Sequence, residues 1–392
     1  MAQYTLKPDS DFAREIAQAG GESLKKCYQC ATCSVACPMA PVNAPYPRKE
    51  MIWASWGLRD KFDSDVDIWL CHNCGNCSEM CPRGARPADV LSAARNMVYK
   101  NLTEPAIVGK WMSSAGGLKN LFLIPAVLWF VVWALRAAIN GQWFPRAADG
   151  RIVFGQIFYG DYTIDPIFML TFFGACFIMY RSVRKLWEMF TPQGRMLVIG
   201  PRKNWIFHLV DVLWEEVVTH KKFDDCEDGP VTGKPTQNRK TGHAFLVWSF
   251  VILAFVTAAV AMGHWGGKIV PAIHIETPMP LSFPVKILAN IGALLLICGL
   301  ALLTWRRVQL DPERLGSGFY DWYLLGIIWL VAVTGILSQC FRLADSIVPA
   351  FMVYYLHLVF VWMLFAYLPW SKLGHFVYRT AALVFVRMYG RS

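Results

Sequence analysis

"CYQCATCSVACP" (residues 27–38) and "CHNCGNCSEMCP" (residues 71–82) share one spacing, C-x2-C-x2-C-x3-C-P. Eight of the twelve cysteines lie in these two runs; Cys176, Cys226, Cys298 and Cys340 are scattered. Around the runs, residues 1–110 carry ordinary charge and polar content. Beyond residue 118 the chain turns into apolar runs broken by short charged loops, which raises the hydrophobic share of its 392 residues to 55%. That share is too high for an ordinary soluble domain.

Three cysteines at equal spacing let one turning loop aim three thiolates at a cubane, and the fourth is carried on to a neighbouring one. The spacing therefore reads as two [4Fe–4S] sites, Cys27, Cys30, Cys33 and Cys81 for one and Cys71, Cys74, Cys77 and Cys37 for the other. Zinc sites pair C-x2-C elements at longer separation, so zinc is disfavoured. "MAQYTLKPDSDFAREIAQ" lacks the apolar core of a signal peptide, which argues for a reducing compartment and against disulfides. Helices are expected at 10–19, 48–58 and 87–100, and Gly75 and Gly84 are positions where backbone can approach a cluster. His72, inside the second loop, reads as a group that tunes or shields it.

About 20 apolar residues cross a ~30 Å hydrocarbon layer. Six segments qualify, about 119–139, 164–182, 244–264, 285–305, 322–341 and 347–370, with Trp143, Trp265, Trp305, Trp322 and Trp370 near their ends as an aromatic belt. A cytoplasmic N-terminus puts 183–243 and 306–321 inside. The first of these holds Arg184, Lys185, Arg195, Arg202, Lys203, Lys221, Lys222, Lys234, Arg239 and Lys240, against Arg146, Arg151, Lys268 and Arg342 in the opposite loops. This asymmetry follows the positive-inside rule and accounts for the formal charge of +10. The polar part has no basic stripe with interleaved aromatics, so no nucleic-acid partner is expected; membrane lipid is.

In "NWIFHLVDVLWEEVVTH" (204–220), Ile206, Leu209, Val210, Leu213 and Val217 oppose Asp211, Glu215 and Glu216, an amphipathic helix at the interface or against the bundle. A polar connector covers 224–242, a second interfacial helix 376–388, and 101–118 reads as a hinge. The fold class is all-α: a two-cluster helical module over 1–110 and a six-helix membrane bundle over 111–392.

Ionisable side chains in a bundle mark functional sites by default. His357 and His375 are 18 residues apart, five whole turns on one continuous helix, hence on one face and ~27 Å apart. His243 and His264 bracket the third span. Alternating span directions pair His243 with His375 on the inner side and His264 with His357 on the outer side, as ligands of one or two b-type haems. His208 and His220 are reserve ligands. In the outer loop "IVPAIHIETPMP", His274 and Glu276 form a candidate quinone site able to accept protons. Cys176, Cys298 and Cys340 read as small packing residues.

The combination resembles the ferredoxin-like component of heterodisulfide reductase fused to a membrane cytochrome b like the nitrate reductase gamma subunit. The resemblance rests on the two cysteine runs, on "HLVFVWMLFAYLPWSKLGH" (357–375) and on "THKKFDDCEDG" and "KTGHAFLVWSF" leading into the third span. The fusion is similar to the membrane-component family of quinone-interacting membrane-bound oxidoreductase complexes. It implies menaquinol oxidation at the bacterial cytoplasmic membrane. Electrons would pass through haem b and the clusters to cytoplasmic flavin and iron–sulfur subunits that serve adenylylsulfate reduction in sulfate respiration. The gamma-subunit pattern pairs two histidines within one early span; Leu253 stands where the second would follow His243. A related heterodisulfide- or sulfite-reduction complex, and a haem-free membrane-anchored ferredoxin, are the alternatives.

Overall fold

The computed structural model describes residues 7–42, 44–197, 204–226 and 238–389, and all its regular structure is helical. Most of the polar connector, 227–237, lies outside the described residues.

In the N-terminal module, Asp9 caps the first helix (Ser10–Ile16) by accepting from the Asp11 and Phe12 amides. Expected to reach residue 19, this helix stops early in a wide turn over Ala17–Gly21, where Gly20 takes φ 113. The second predicted helix ends at Ser55 rather than 58. Gly57 turns the chain there at φ 67, and its carbonyl accepts the Asp9 amide at 2.8 Å. A Cβ at Gly57 would fall 2.2 Å from the Asp9 carbonyl oxygen, so only glycine permits this contact. The third helix runs Pro87–Leu102 and is the core of the module. Lys49 is an internal counter-ion, salt-bridged to the buried Glu50, to Asp65 at 2.9 Å and to Asp67 at 2.6 Å. One ammonium among three buried carboxylates leaves negative charge in excess, and burial with Asp65 nearby pushes the Glu50 carboxyl well above its usual range.

Among the described residues, six helices are long and apolar enough to cross a membrane, which makes this a multi-pass membrane protein. They run Leu118–Asn140, Asp165–Leu197, Asn238–Gly267, Pro284–Gln309, Phe319–Leu343 and Ile347–Ala366. The third and fourth spans meet through glycine. A Cβ on Gly299 would lie 2.9 Å from the Gly242 carbonyl oxygen, the close approach that small residues allow between membrane helices.

The sixth span corrects one sequence expectation. His357 sits in the middle of Ile347–Ala366, and His375 is not on that helix. Two short 3-10 turns, Leu368–Trp370 and Lys372–Gly374, intervene, and His375 opens a new helix, His375–Met388. Pro369 lacks the amide that would continue the ladder, and the Ser371 hydroxyl caps the next turn by accepting the Leu373 amide. The five-turn, one-face argument therefore fails.

The amphipathic 204–220 segment is helical as expected, whereas the tail helix and part of the expected hinge pack into the structure. The 204–220 segment is an α-helix over Trp205–Val212 that widens over Leu213–Val218. The helix His375–Met388 buries Tyr378, Ala382, Leu383 and Phe385 in one core with Phe12, Met51, Trp69 and Val90 of the cysteine module. Within the expected hinge, Ala106–Met112 is helical. Further contacts fasten the module to the bundle. Arg86 donates to the Pro312 carbonyl at 2.6 Å, Arg314 to the Glu79 carbonyl at 2.8 Å, and Asp89 accepts the Gly316 amide. The loop 310–318 thus lies on the same side of the bundle as the cysteines.

Candidate functional site

All eight cysteines of the two runs are free thiols held in two groups. Cys27 and Cys33 have Cys81 among their close neighbours, so the last cysteine of the second run sits with the first loop. Burial first, then Cys27, Cys81 and Cys30, push the Cys33 thiol up to about 11. Cys37 has crossed the other way. It lines a cavity of about 20 Å³ together with Cys71, Cys74 and Cys77, and burial followed by Cys71 pushes it up to about 12. Thiolates crowded in so dry a place are costly without a cationic partner, which is the chemistry an iron–sulfur cube supplies when bound. Left-handed backbone at Gln29, Ala31, Asn73 and Gly75 curls both loops around their thiols. The Asn73 amide and the Gln29 side chain donate to Cys71 and Cys27, each at 3.3 Å.

Cys226, read from sequence as scattered, is buried beside the second group. Its thiol hydrogen-bonds Cys74, and that contact draws Cys74 down to about 6. Hydrogen bonds to a cluster's sulfurs raise its potential by favouring the reduced, more negative state. Cys226→Ala is therefore expected to lower the potential of the second centre. Redox titration followed by electron paramagnetic resonance (EPR) measures this, and an unchanged potential would show that the bond carries no weight.

The inner histidines meet. The rings of His243 and His375 are 6.4 Å apart between centres at 71°. Two imidazoles gripping one iron from opposite faces put their ring centres about 6 Å apart, given metal–nitrogen bonds of about 2 Å. The outward nitrogens are already occupied: His220 Nε2 meets His243 Nδ1 at 2.9 Å, and His375 Nδ1 donates to the Lys372 carbonyl at 2.6 Å. Both Nε2 atoms are thereby left for a ligand, the arrangement in which outer partners fix ring orientation. Burial keeps His375 neutral, down to about 4. A cavity of about 220 Å³ opens between this pair and the second cysteine loop, lined by Cys71, His72, His243 and His375 and by Arg95, Arg239, Arg306, Arg307, Lys372 and Arg379. Among the described residues Asp321 is its one carboxylate, held by Arg307 at 3.1 Å and by Lys372. Such a lining suits a large ligand with anionic groups.

His72 links the two regions. Arg379 donates to its Nε2 and Arg239 to its carbonyl. Burial, with Arg379 and Arg239 next, holds its imidazole well below the usual range, hence neutral. Phe223 packs on three imidazoles at once, those of His72 (5.5 Å), His220 (5.4 Å) and His243 (5.1 Å). The segment "THKKFDDCEDG" carries part of the family resemblance, but nothing in it shows the contact of Phe223 with His220, because the groups Phe223 serves lie on distant segments. Of the two reserve histidines, His220 reaches the inner pair as an outer partner, while His208 stays half-buried on its own helix.

The outer pair is not brought together. His357 accepts or donates at Thr334 Oγ1, 3.1 Å away, and lies against Tyr354 and Gly335. His264 instead pairs with Asp161, which Lys268 also holds. Its ring is 6.5 Å from that of His274. The cause is position: His264 is in the last turn of its span, whereas His357 is half-way along another. His274 is exposed, and Glu276 lies in the same loop.

Residues 23–85 match the family model of the 4Fe-4S dicluster domain, and residues 168–391 match that of citrate utilization protein B. The chain belongs to the citrate utilization protein B family. It is 26% identical to citrate utilization protein B of Escherichia coli, over 98% of this chain and 93% of that protein. Its N-terminal quarter is similar to the iron–sulfur components of two archaeal heterodisulfide reductases. It is 41% identical over 93 residues to that of the H(2):CoB-CoM heterodisulfide,ferredoxin reductase of Methanothermobacter marburgensis. It is 37% identical over 78 residues to that of the CoB–CoM heterodisulfide reductase of Methanopyrus kandleri. These alignments cover 24% and 20% of this chain, and 50% and 41% of the two relatives. The chain thus spans about half the length, or less, of the heterodisulfide reductase relatives. No solved structure matches. The dicluster match supports two [4Fe–4S] clusters in the N-terminal module.

Proposed function

We propose that the protein carries electrons between menaquinol in the bacterial cytoplasmic membrane and cytoplasmic flavin and iron–sulfur partner subunits. The observation that carries this reading is the unbroken chain of ring contacts His72–Phe223–His243–His375, which joins the second cysteine loop to the inner histidine pair. In this reading Cys27, Cys30, Cys33 and Cys81 hold one [4Fe–4S] cluster and Cys71, Cys74, Cys77 and Cys37 the other. His243 and His375 hold a haem b, whose carboxylates the surrounding arginines neutralise. When bound, haem and clusters supply one-electron centres. His357, with Nδ1 engaged by Thr334, offers its other nitrogen to a second haem. At the far end His264, oriented by Asp161 beside His274, accepts a proton from quinol. The cysteine module and the cationic loops lie on the cytoplasmic side.

The resemblance to quinone-interacting membrane-bound oxidoreductase complexes supports a reading in which the partners serve adenylylsulfate reduction. The full-length likeness to citrate utilization protein B favours a second reading, in which the same wire serves a flavoprotein of citrate-related metabolism. One measurement tests the shared core. Purified protein treated with a reduced menaquinone analogue should develop a b-type α band before its [4Fe–4S] EPR signals grow. Absence of that band would reduce the protein to a membrane-anchored ferredoxin.

A further inference from the structure

The two cysteine loops differ sharply in what surrounds them. Cys71, Cys74 and Cys77 are buried, and their loop is held by Arg239 and Arg379 of the bundle. Cys30 of the first loop is exposed. Beside it stand large apolar side chains in the open, Tyr28 at 68% exposure, Val35 at 87% and Met80 at 61%. These form one face. The Arg83 guanidinium lies 4.0 Å above the Tyr28 ring, bringing the Met80–Arg83 turn over the first loop. Arg48 donates to the Gln29 carbonyl at 3.1 Å and, through its amide, to the Ser34 hydroxyl.

Cations rim this face: Lys25, Lys26, Arg48 and Arg83. Of the nearby acids, Glu22 is paired with Arg86 at 2.5 Å and Glu79 is exposed. An apolar centre with a cationic rim is the composition of an interaction site for an acidic partner. Electron transfer falls steeply with distance, so a partner must dock where a thiolate reaches the surface.

We propose that the first cysteine loop, around Cys30 and Tyr28, is the docking face for an acidic cytoplasmic flavoprotein, and that the second loop is reserved for contact with the membrane part. This rests on the electron-carrier reading above. The step is one electron leaving at the Cys30 edge for the partner's oxidised flavin, which is reduced as its donor is oxidised. No bond is made or broken.

Flavodoxin, an acidic flavoprotein, is the probe. Full-length protein with both clusters loaded is mixed with it at low ionic strength, joined by carbodiimide between amines and carboxylates, and mapped by mass spectrometry. Cross-links are expected at Lys25 and Lys26. The variant Lys25→Glu/Lys26→Glu, and separately Arg83→Glu, should slow reoxidation of the reduced clusters by flavodoxin about tenfold, with iron content and EPR signals unchanged. Cross-links concentrated on Lys185, Lys221 or Lys222, no cross-link at Lys25 or Lys26, or reoxidation rates unaltered in both variants overturn the docking face. Absence of [4Fe–4S] signals in the unmodified protein overturns the carrier reading itself, and the docking face with it.

Discussion

His375→Ala is expected to abolish the haem b proposed between His243 and His375 while leaving both iron–sulfur centres intact. The imidazole has no structural duty that alanine cannot approximate, since the Ser371 cap and the Lys372–Gly374 turn hold the start of its helix. What is lost is one of the two Nε2 atoms facing the cavity. Removing an outer partner of a metal ligand costs about 10–100-fold in affinity, so His220→Phe, which takes the hydrogen bond from His243, should weaken haem binding by about that much. Removing a ligand itself should cost more. The readout is twofold. The b-type α band should fall by one haem per chain, and reduction of the clusters by a menaquinol analogue should slow by more than about 100-fold, the upper bound for an outer partner. Dithionite should still reduce them fully. An α band of full intensity in His375→Ala would remove this pair from the wire.

The second large effect concerns the crossing of the fourth cysteines. Cys81→Ser is expected to destroy the centre of the first loop, although Cys81 belongs by sequence to the second run. Cys37→Ser should destroy the other, because Cys37 lines the cavity with Cys71, Cys74 and Cys77. Iron content should drop from about eight to about four per chain in either variant. The surviving EPR signal identifies the partner set. In Cys81→Ser it should keep the sensitivity to Cys226→Ala, since Cys226 bonds Cys74. If Cys81→Ser instead loses the signal that responds to Cys226, each run ligates its own cluster and the crossing is wrong.

Much of the architecture was legible because its signals are local. A C-x2-C-x2-C-x3-C-P run declares its chemistry within about twelve residues, and an apolar stretch of about 20 declares a span without reference to anything else. The inner pairing of His243 with His375 came from span direction alone, and the structure places those rings together. The separate argument that His357 and His375 share one helix face fails, since it needs a continuous helix through Pro369. The outer pairing failed on register: direction says which end of a bundle a residue is near, not which neighbour it meets. The contacts of Phe223, Cys226, Asp161 and His220 are not legible in the sequence, although "THKKFDDCEDG" marks the segment of three of them, because each matters only through a contact with a distant segment. The helix His375–Met388 was misread for a related reason. Its apolar face looks the same whether a membrane or the cysteine module covers it.

Thus the sequence by itself determined an all-helical chain with two cysteine loops ahead of six membrane-length segments, since covalent spacing and hydropathy are properties of the chain. Only the tertiary structure decided that the second loop faces the bundle and the first faces outward. It also decided that Phe223 fills the gap between His72 and His243, and that His264 answers to Asp161. Those are distances between segments, set by which side chains fill one another's space when the spans and the module close together.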